Sequence, residues 1–124
     1  MNWSATAAFL LALAVALGAF GAHSLRGRLD EYSIGVYEKA VFYHFVHALG
    51  ILIVAALTRS ASLSSIAQAR VSRLLLLGIC LFCGSLYALA VSGIRILGAV
   101  TPLGGLAFIA GWNWLAIELL RTKS

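Results

Sequence analysis

Three histidines, His23, His44 and His47, are the side chains of this 124-residue sequence best suited to binding or proton chemistry. An imidazole can ligate a metal, serve as a haem axial ligand or carry a proton near neutral pH. His44 and His47 stand three residues apart. On a helix they share one face, so they cannot take the two opposite axial positions of one haem. His23 with His44 or with His47 could, from two helices. The spacing matches no strong metal-binding pattern. Tyr37, Glu38, Tyr43, Tyr87, Ser92 and Thr101 complete the polar groups of the same region. Cys80 and Cys83 form a C-x-x-C, but the βαβ setting of a thioredoxin-type pair is missing. Two small residues in a packed helix explain them as well. Thr101-Pro102-Leu103-Gly104-Gly105 is not a phosphate loop, because no Lys-Ser/Thr follows it.

The elements that must position these groups are apolar helices. Hydrophobic residues make up 62% of the chain, charged residues only 10%, and the mean hydropathy is +1.00. A soluble domain carries roughly 25% charged residues. A hydrocarbon core about 30 Å thick takes roughly 20 apolar residues per helix. Four such stretches lie at about residues 3–23, 38–57, 74–97 and 101–120. The fold class is therefore all-α: an integral membrane bundle of four transmembrane helices with up-down connections, forming one transmembrane domain over 1–124. The first stretch reads as a retained helix and not a signal peptide. No Lys or Arg precedes it, and its apolar core exceeds the usual length of about 7–15 residues.

Between the first two spans, Leu25, Leu29, Tyr32 and Val36 fall on one helical face. Arg26/Asp30 and Arg28/Glu31 have ion-pair spacing. This pattern fits a short helix lying in the interface. The Ser-rich stretch 58–73, with three arginines and no acid, reads as a solvated loop or, in its later part, as an early start of the third helix. A tight turn is expected around Gly98, and Pro102 suits the first turn of the last helix. Glu118 is expected to pair with Arg121 or a linker arginine. Trp3, Trp112 and Trp114 are candidate interface markers.

The net charge of +5 comes from basic residues scattered through loops and the C-terminus. It forms no stripe, so nucleic acid is excluded as a partner. Arg59, Arg70, Arg73, Arg121 and Lys123 share one side with the N-terminus; Arg26, Arg28, Lys39 and Arg95 lie on the other. That slim excess favours both termini in the cytoplasm.

Lipid removes the hydrophobic drive for helix association, so close approach at small residues must replace it. Ala14, Gly18 and Ala22 recur every four residues on the first helix. Cys80, Gly84, Ala88 and Ser92 do so on the third, and Ala107 and Gly111 on the fourth. These stripes serve either packing within one bundle or contact with a second copy or another membrane protein.

Three helix ends meet on the side of His23: the end of the first, the start of the second and the turn between the third and fourth. A polar cluster of His23, Tyr43, His44, His47, Tyr87 and Thr101 is expected there. Its ordinary use is hydrogen bonding between helices; a small-molecule, ion or proton site, or a haem or quinone site, is the alternative.

Several segments carry a family resemblance. They are Gly18-Ala19-Phe20-Gly21-Ala22-His23, Tyr43-His44, His47-Ala48-Leu49, Phe82-Cys83-Gly84-Ser85-Leu86-Tyr87, Thr101-Pro102-Leu103-Gly104-Gly105 and Gly111-Trp112. Together they resemble the small membrane proteins called domain of unknown function 423. The resemblance implies four transmembrane helices in a bacterial inner membrane, and it implies no reaction. His23, His44, His47, Tyr87, Thr101 and Pro102 occupy its motif positions. Cys83 stands where that family often has Ser, which argues against a redox role. The sequence thus points to a non-enzymatic accessory or self-associating bundle, with the lipid bilayer as its first partner and no cofactor or metal implied.

Overall fold

The structure is a computed structural model and describes residues 1–122. Lys123, counted in the charge balance, lies outside the described residues. Among the described residues, four helices are long and apolar enough to cross a membrane. They are α1 (Trp3–Leu25), α2 (Glu31–Arg59), α3 (Ser65–Ser92) and α4 (Thr101–Thr122), the last preceded by a 3-10 segment, Arg95–Ala99. Two stretches are wound more widely, as π turns: Gly21–Leu25 at the end of α1 and Ile79–Cys83 within α3.

Side-chain caps start three of the helices. Asn2 Oδ1 accepts from the Ala5 N–H at 3.0 Å, Asp30 Oδ1 from Ser33 at 2.8 Å, and Ser64 Oγ from Ala67 at 3.1 Å. Each bond satisfies one of the donors that a helix start leaves bare. Gly93 ends α3 at φ 74°, a left-handed conformation that favours glycine, and its N–H reaches the Leu89 carbonyl at 2.8 Å.

Three boundaries differ from the sequence expectation, two of them set by these caps. The amphipathic stretch after α1 forms no separate interfacial helix. The Asp30 cap starts α2 at Glu31, and Tyr32 and Val36 lie in its first turns. A 29-residue helix is about 43 Å long, so it outruns a hydrocarbon core of about 30 Å and its charged start projects into the interface. The Ser-rich stretch is loop only up to Ser64, because Ser64 caps α3 and Arg70 and Arg73 are already helical. No tight turn forms at Gly98. The backbone there winds through the 3-10 segment before Thr101.

The cap of α2 is pH-sensitive. The Ser33 N–H, followed by the Ser33 side chain, holds the Asp30 carboxyl below its ordinary value. A depressed folded-state value means the cap contributes in full above the ordinary carboxylate range. The contribution is lost as pH falls through the lowered value. Amide exchange at Ser33 and Ile34, corrected for intrinsic rates, is expected to speed up on acidification in the wild type. In Asp30→Ala it should be fast at every pH. Equal protection of the two proteins at neutral pH would contradict this.

Helix α2 occupies the centre. Ala40, His44, His47, Ala48, Ile51 and Val54 are all buried along it. Ile51 and Val54 meet Val71 and Leu75 of α3 in the fully buried core. Helix α1 sits at the edge and buries Trp3, Ala7 and Ala14 in the regular part of its helix. Trp3 is thus packed, with 5% exposure, and not spread at an interface. Helix α4 lies against α3. A Cβ on Gly104 would run into the Phe82 backbone, so the two helices touch main chain to side-chain-free main chain there. Elsewhere aromatic rings fill the space that glycine leaves: Tyr37 at Gly21, Trp112 at Gly50 and Phe108 at Gly78.

At the His23 end, Arg26 pairs with Glu38 at 2.5 Å, and the Arg95 guanidinium lies 4.3 Å from the centre of the Tyr32 ring. These two contacts tie the α1–α2 connection and the α3–α4 connection to the start of α2.

Candidate functional site

The polar side chains of the bundle interior are distributed over three neighbouring places. In the first, His44 is 2% exposed on α2 and its Nδ1 lies 2.9 Å from the Tyr87 hydroxyl of α3. Its Nε2 is buried and makes no hydrogen bond of good geometry; the Leu10 backbone of α1 lies nearby. A carbonyl only accepts, so this arrangement favours a proton on Nε2 and a Tyr87 hydroxyl that donates to Nδ1. His44 thereby faces both α1 and α3 from the central helix. Tyr37 extends the set. Its ring meets that of Tyr87 edge-on at 5.3 Å, and its hydroxyl donates to the Leu17 carbonyl of α1 at 2.5 Å.

In the second place, His47 Nδ1 lies 2.8 Å from the Tyr43 carbonyl one turn back on α2. The carbonyl must accept, so Nδ1 carries the proton. The imidazole stacks on Phe108 of α4 with ring centres 3.5 Å apart, and on Tyr43 with centres 5.9 Å apart. Tyr43 in turn packs on Phe82. In the third place, Ser85 of α3 and Thr101 of α4 share a hydrogen bond at 2.6 Å, and Ser85 also donates to the Phe82 carbonyl. Ser72, fully buried, has no hydrogen-bond partner for its Oγ among the described residues.

His23 does not join these groups. It is exposed in the widened last turn of α1, so no pairing with His44 or His47 is built. His44 and His47 also diverge: one engages Tyr87, the other Phe108 and Trp112. Ser92 caps the end of α3, donating to Ala88 and accepting from the Ile94 N–H. Cys83 is buried at 1% exposure while Cys80 is exposed, so the two thiols face different surroundings.

The small residues divide in the same way. Ala14 is buried, Gly18 faces Val41, and Gly111 sits against Leu74 and Leu75. Ala22, Gly84, Ala88 and Ser92 are exposed on the outside of the bundle, and a Cβ on Gly84 would meet nothing within 4 Å. Sequence reasoning missed Ser85, Ser72 and the aromatic wall of Phe82, Phe108 and Trp112. Only the neighbouring helix gives those residues their role, and no local spacing signals it.

Two cavities lie away from the two buried histidines and the Ser85–Thr101 pair. One, of about 130 Å³, is walled by Gly21, Tyr37 and Val41 beneath the Arg26–Glu38 pair. The other, of about 380 Å³, runs between Arg70 and the outer face of α4.

The chain matches, over residues 17–105, the family model described as "Protein of unknown function (DUF423)". A UPF0382 membrane protein of Staphylococcus haemolyticus is 46% identical over 109 residues, covering 88% of this chain and 87% of its own. The UPF0382 membrane protein YwdK of Bacillus subtilis is 46% identical over 110 residues, covering 88% of each chain. A UPF0382 membrane protein of Staphylococcus aureus (bovine strain RF122) is 40% identical over 109 residues, covering 88% of this chain and 87% of its own. No solved structure matches.

Proposed function

The chain belongs to the DUF423 family, a family of unknown function whose bacterial relatives are named as membrane proteins, and from that premise we propose a non-enzymatic bundle that acts through its outer surface, by self-association or as an accessory to another membrane protein. One observation carries this reading. Apart from His44 Nε2 and Ser72 Oγ, the interior groups able to do chemistry are bonded to one another and to backbone, as His44 Nδ1 to Tyr87, His47 to the Tyr43 carbonyl and Ser85 to Thr101. Neither cavity described above is lined by His44, His47, Ser85 or their partners Tyr87, Tyr43 and Thr101. Polar groups used in this way tie helices together where lipid supplies no hydrophobic drive.

The outer surface in question is the exposed face of α3 that carries Cys80, Gly84, Ala88 and Ser92. Its spacing permits backbones to approach closely, and these four residues are exposed among the described residues. A native thiol on this face supplies the test. Oxidative cross-linking of the full chain in membranes is expected to give a dimer that Cys80→Ser abolishes and Cys83→Ser retains. Gly84→Leu should reduce the dimer about tenfold by holding the helices apart. No dimer band in the wild type, or an undiminished one in Gly84→Leu, would overturn self-association through α3.

A second reading, a small-molecule or ion site, draws on the buried His44 Nε2, which has no hydrogen-bond partner among the described residues. A bound mass in native mass spectrometry that disappears in His44→Ala would favour it over the bundle reading.

A further inference from the structure

The larger cavity is a groove on the lipid-facing side of α4, at the end where the Ser-rich linker and the described C-terminal residues meet. Its polar end is formed by Arg70 of α3 together with Asn113, Trp114, Glu118 and Arg121 of α4. Ala110 and Ile117, both exposed, form its apolar floor. Ala110 lies eleven residues from Arg121, about 16 Å along the helix axis. The groove therefore starts at the membrane interface and runs toward the hydrocarbon, with its charges at the outer end.

The charges in it are unequally matched. Glu118 accepts from Trp114 Nε1 at 3.2 Å and lies 3.6 Å from Arg121. Arg70 rests its guanidinium 5.6 Å from the centre of the Trp114 ring and, among the described residues, has no carboxylate at ion-pair distance. Two guanidinium groups thus face one carboxylate, and the local balance is positive. Asn113, exposed beside them, adds a further donor and acceptor.

The geometry points to a binding site for an anionic phospholipid with a hydroxyl-bearing headgroup, of which phosphatidylglycerol is the probe. Its phosphate diester meets Arg70 and Arg121, since guanidinium matches phosphate oxygens two at a time. Its headgroup hydroxyls donate to the Glu118 carboxylate and the Asn113 amide oxygen. One acyl chain lies on Ala110 and Ile117, parallel to α4. A soluble anion would leave that apolar floor unused. A phosphocholine headgroup has no hydroxyl to give Glu118 and brings a positive charge to a positive site.

Native mass spectrometry of the full chain in mild detergent, titrated separately with phosphatidylglycerol and phosphatidylcholine, tests the site. Phosphatidylglycerol should bind at least about fivefold tighter, and Arg70→Gln and Arg121→Gln should each weaken it about fivefold, the effect of one basic residue at an anionic surface. Phosphatidylcholine, which shares the phosphate but carries its own positive charge and no headgroup hydroxyl, should weaken less than phosphatidylglycerol in either variant. Arg59→Gln, on the same side but outside the groove, should leave both affinities as they are. Thermal unfolding of each variant in parallel separates lost binding from lost fold, and either arginine suffices if the other variant proves unstable. Equal binding of the two lipids by the wild type, or wild-type phosphatidylglycerol affinity in both groove variants, would overturn the assignment.

Discussion

Gly104→Ala is expected to destabilise the bundle by about 3 kcal/mol, the upper part of the range for overpacking a filled interior. The added methyl would meet the Phe82 amide nitrogen and Cα, and backbone atoms cannot swing aside as a flexible side chain does. Relief requires moving α4 away from the widened turn of α3. That movement would also stretch the Ser85–Thr101 bond one turn away. The adjacent glycine is the control. A methyl on Gly105 would come no closer than 3.9 Å to the Phe82 ring, an ordinary contact. Gly105→Ala should therefore be neutral or stabilising by up to about 1 kcal/mol, because alanine favours helix over glycine. Reversible unfolding in mixed micelles measures both. Similar stabilities for the two variants would contradict the close approach of α3 and α4.

Breaking the His44–Tyr87 bond should cost about 1 kcal/mol. Tyr87→Phe leaves the buried His44 Nδ1 without its partner, and His44→Leu leaves the Tyr87 hydroxyl without its own. In water-soluble proteins such orphaned groups cost roughly 1–3 kcal/mol. Hydrogen bonds between membrane helices average lower, about 0.6 kcal/mol, because the unfolded helices in lipid find other partners. His44 is 2% exposed and in contact with two neighbouring helices, which places it above that average. The double variant should cost less than the sum of the singles by about the energy of the bond. Additive losses would show that the two side chains do not act as a pair. Loss of a bound species with unchanged stability would move them from tying helices to holding a ligand.

The four spans were legible because length and apolarity alone decide whether a helix crosses a bilayer. Their ends were less so. Residues 31–39 carry an amphipathic pattern that serves equally as an interfacial helix and as the projecting start of α2. Asp30 decided between them by capping at Glu31. Arg70 and Arg73 suggested a solvated loop, but helix costs a charged residue nothing near the interface, where its side chain reaches water. For the site, His44 and His47 at i and i+3 do share a face. With 3.6 residues per turn they still point about 60° apart. That angle is enough to give one to α1 and α3 and the other to α4. The period of a helix states which residues share a face and not which neighbour covers it. This is also why Gly84, Ala88 and Ser92 lie outward while Gly111, with the same spacing logic, packs inward.

Self-association is tested most directly by counting subunits in a bilayer. Full-length chains carrying one fluorophore each would be reconstituted at low density and counted by single-molecule photobleaching. Two-step bleaching should dominate for the wild type, and one-step bleaching for Gly84→Leu. One-step bleaching of the wild type as protein density rises would contradict a bundle that works by pairing through α3.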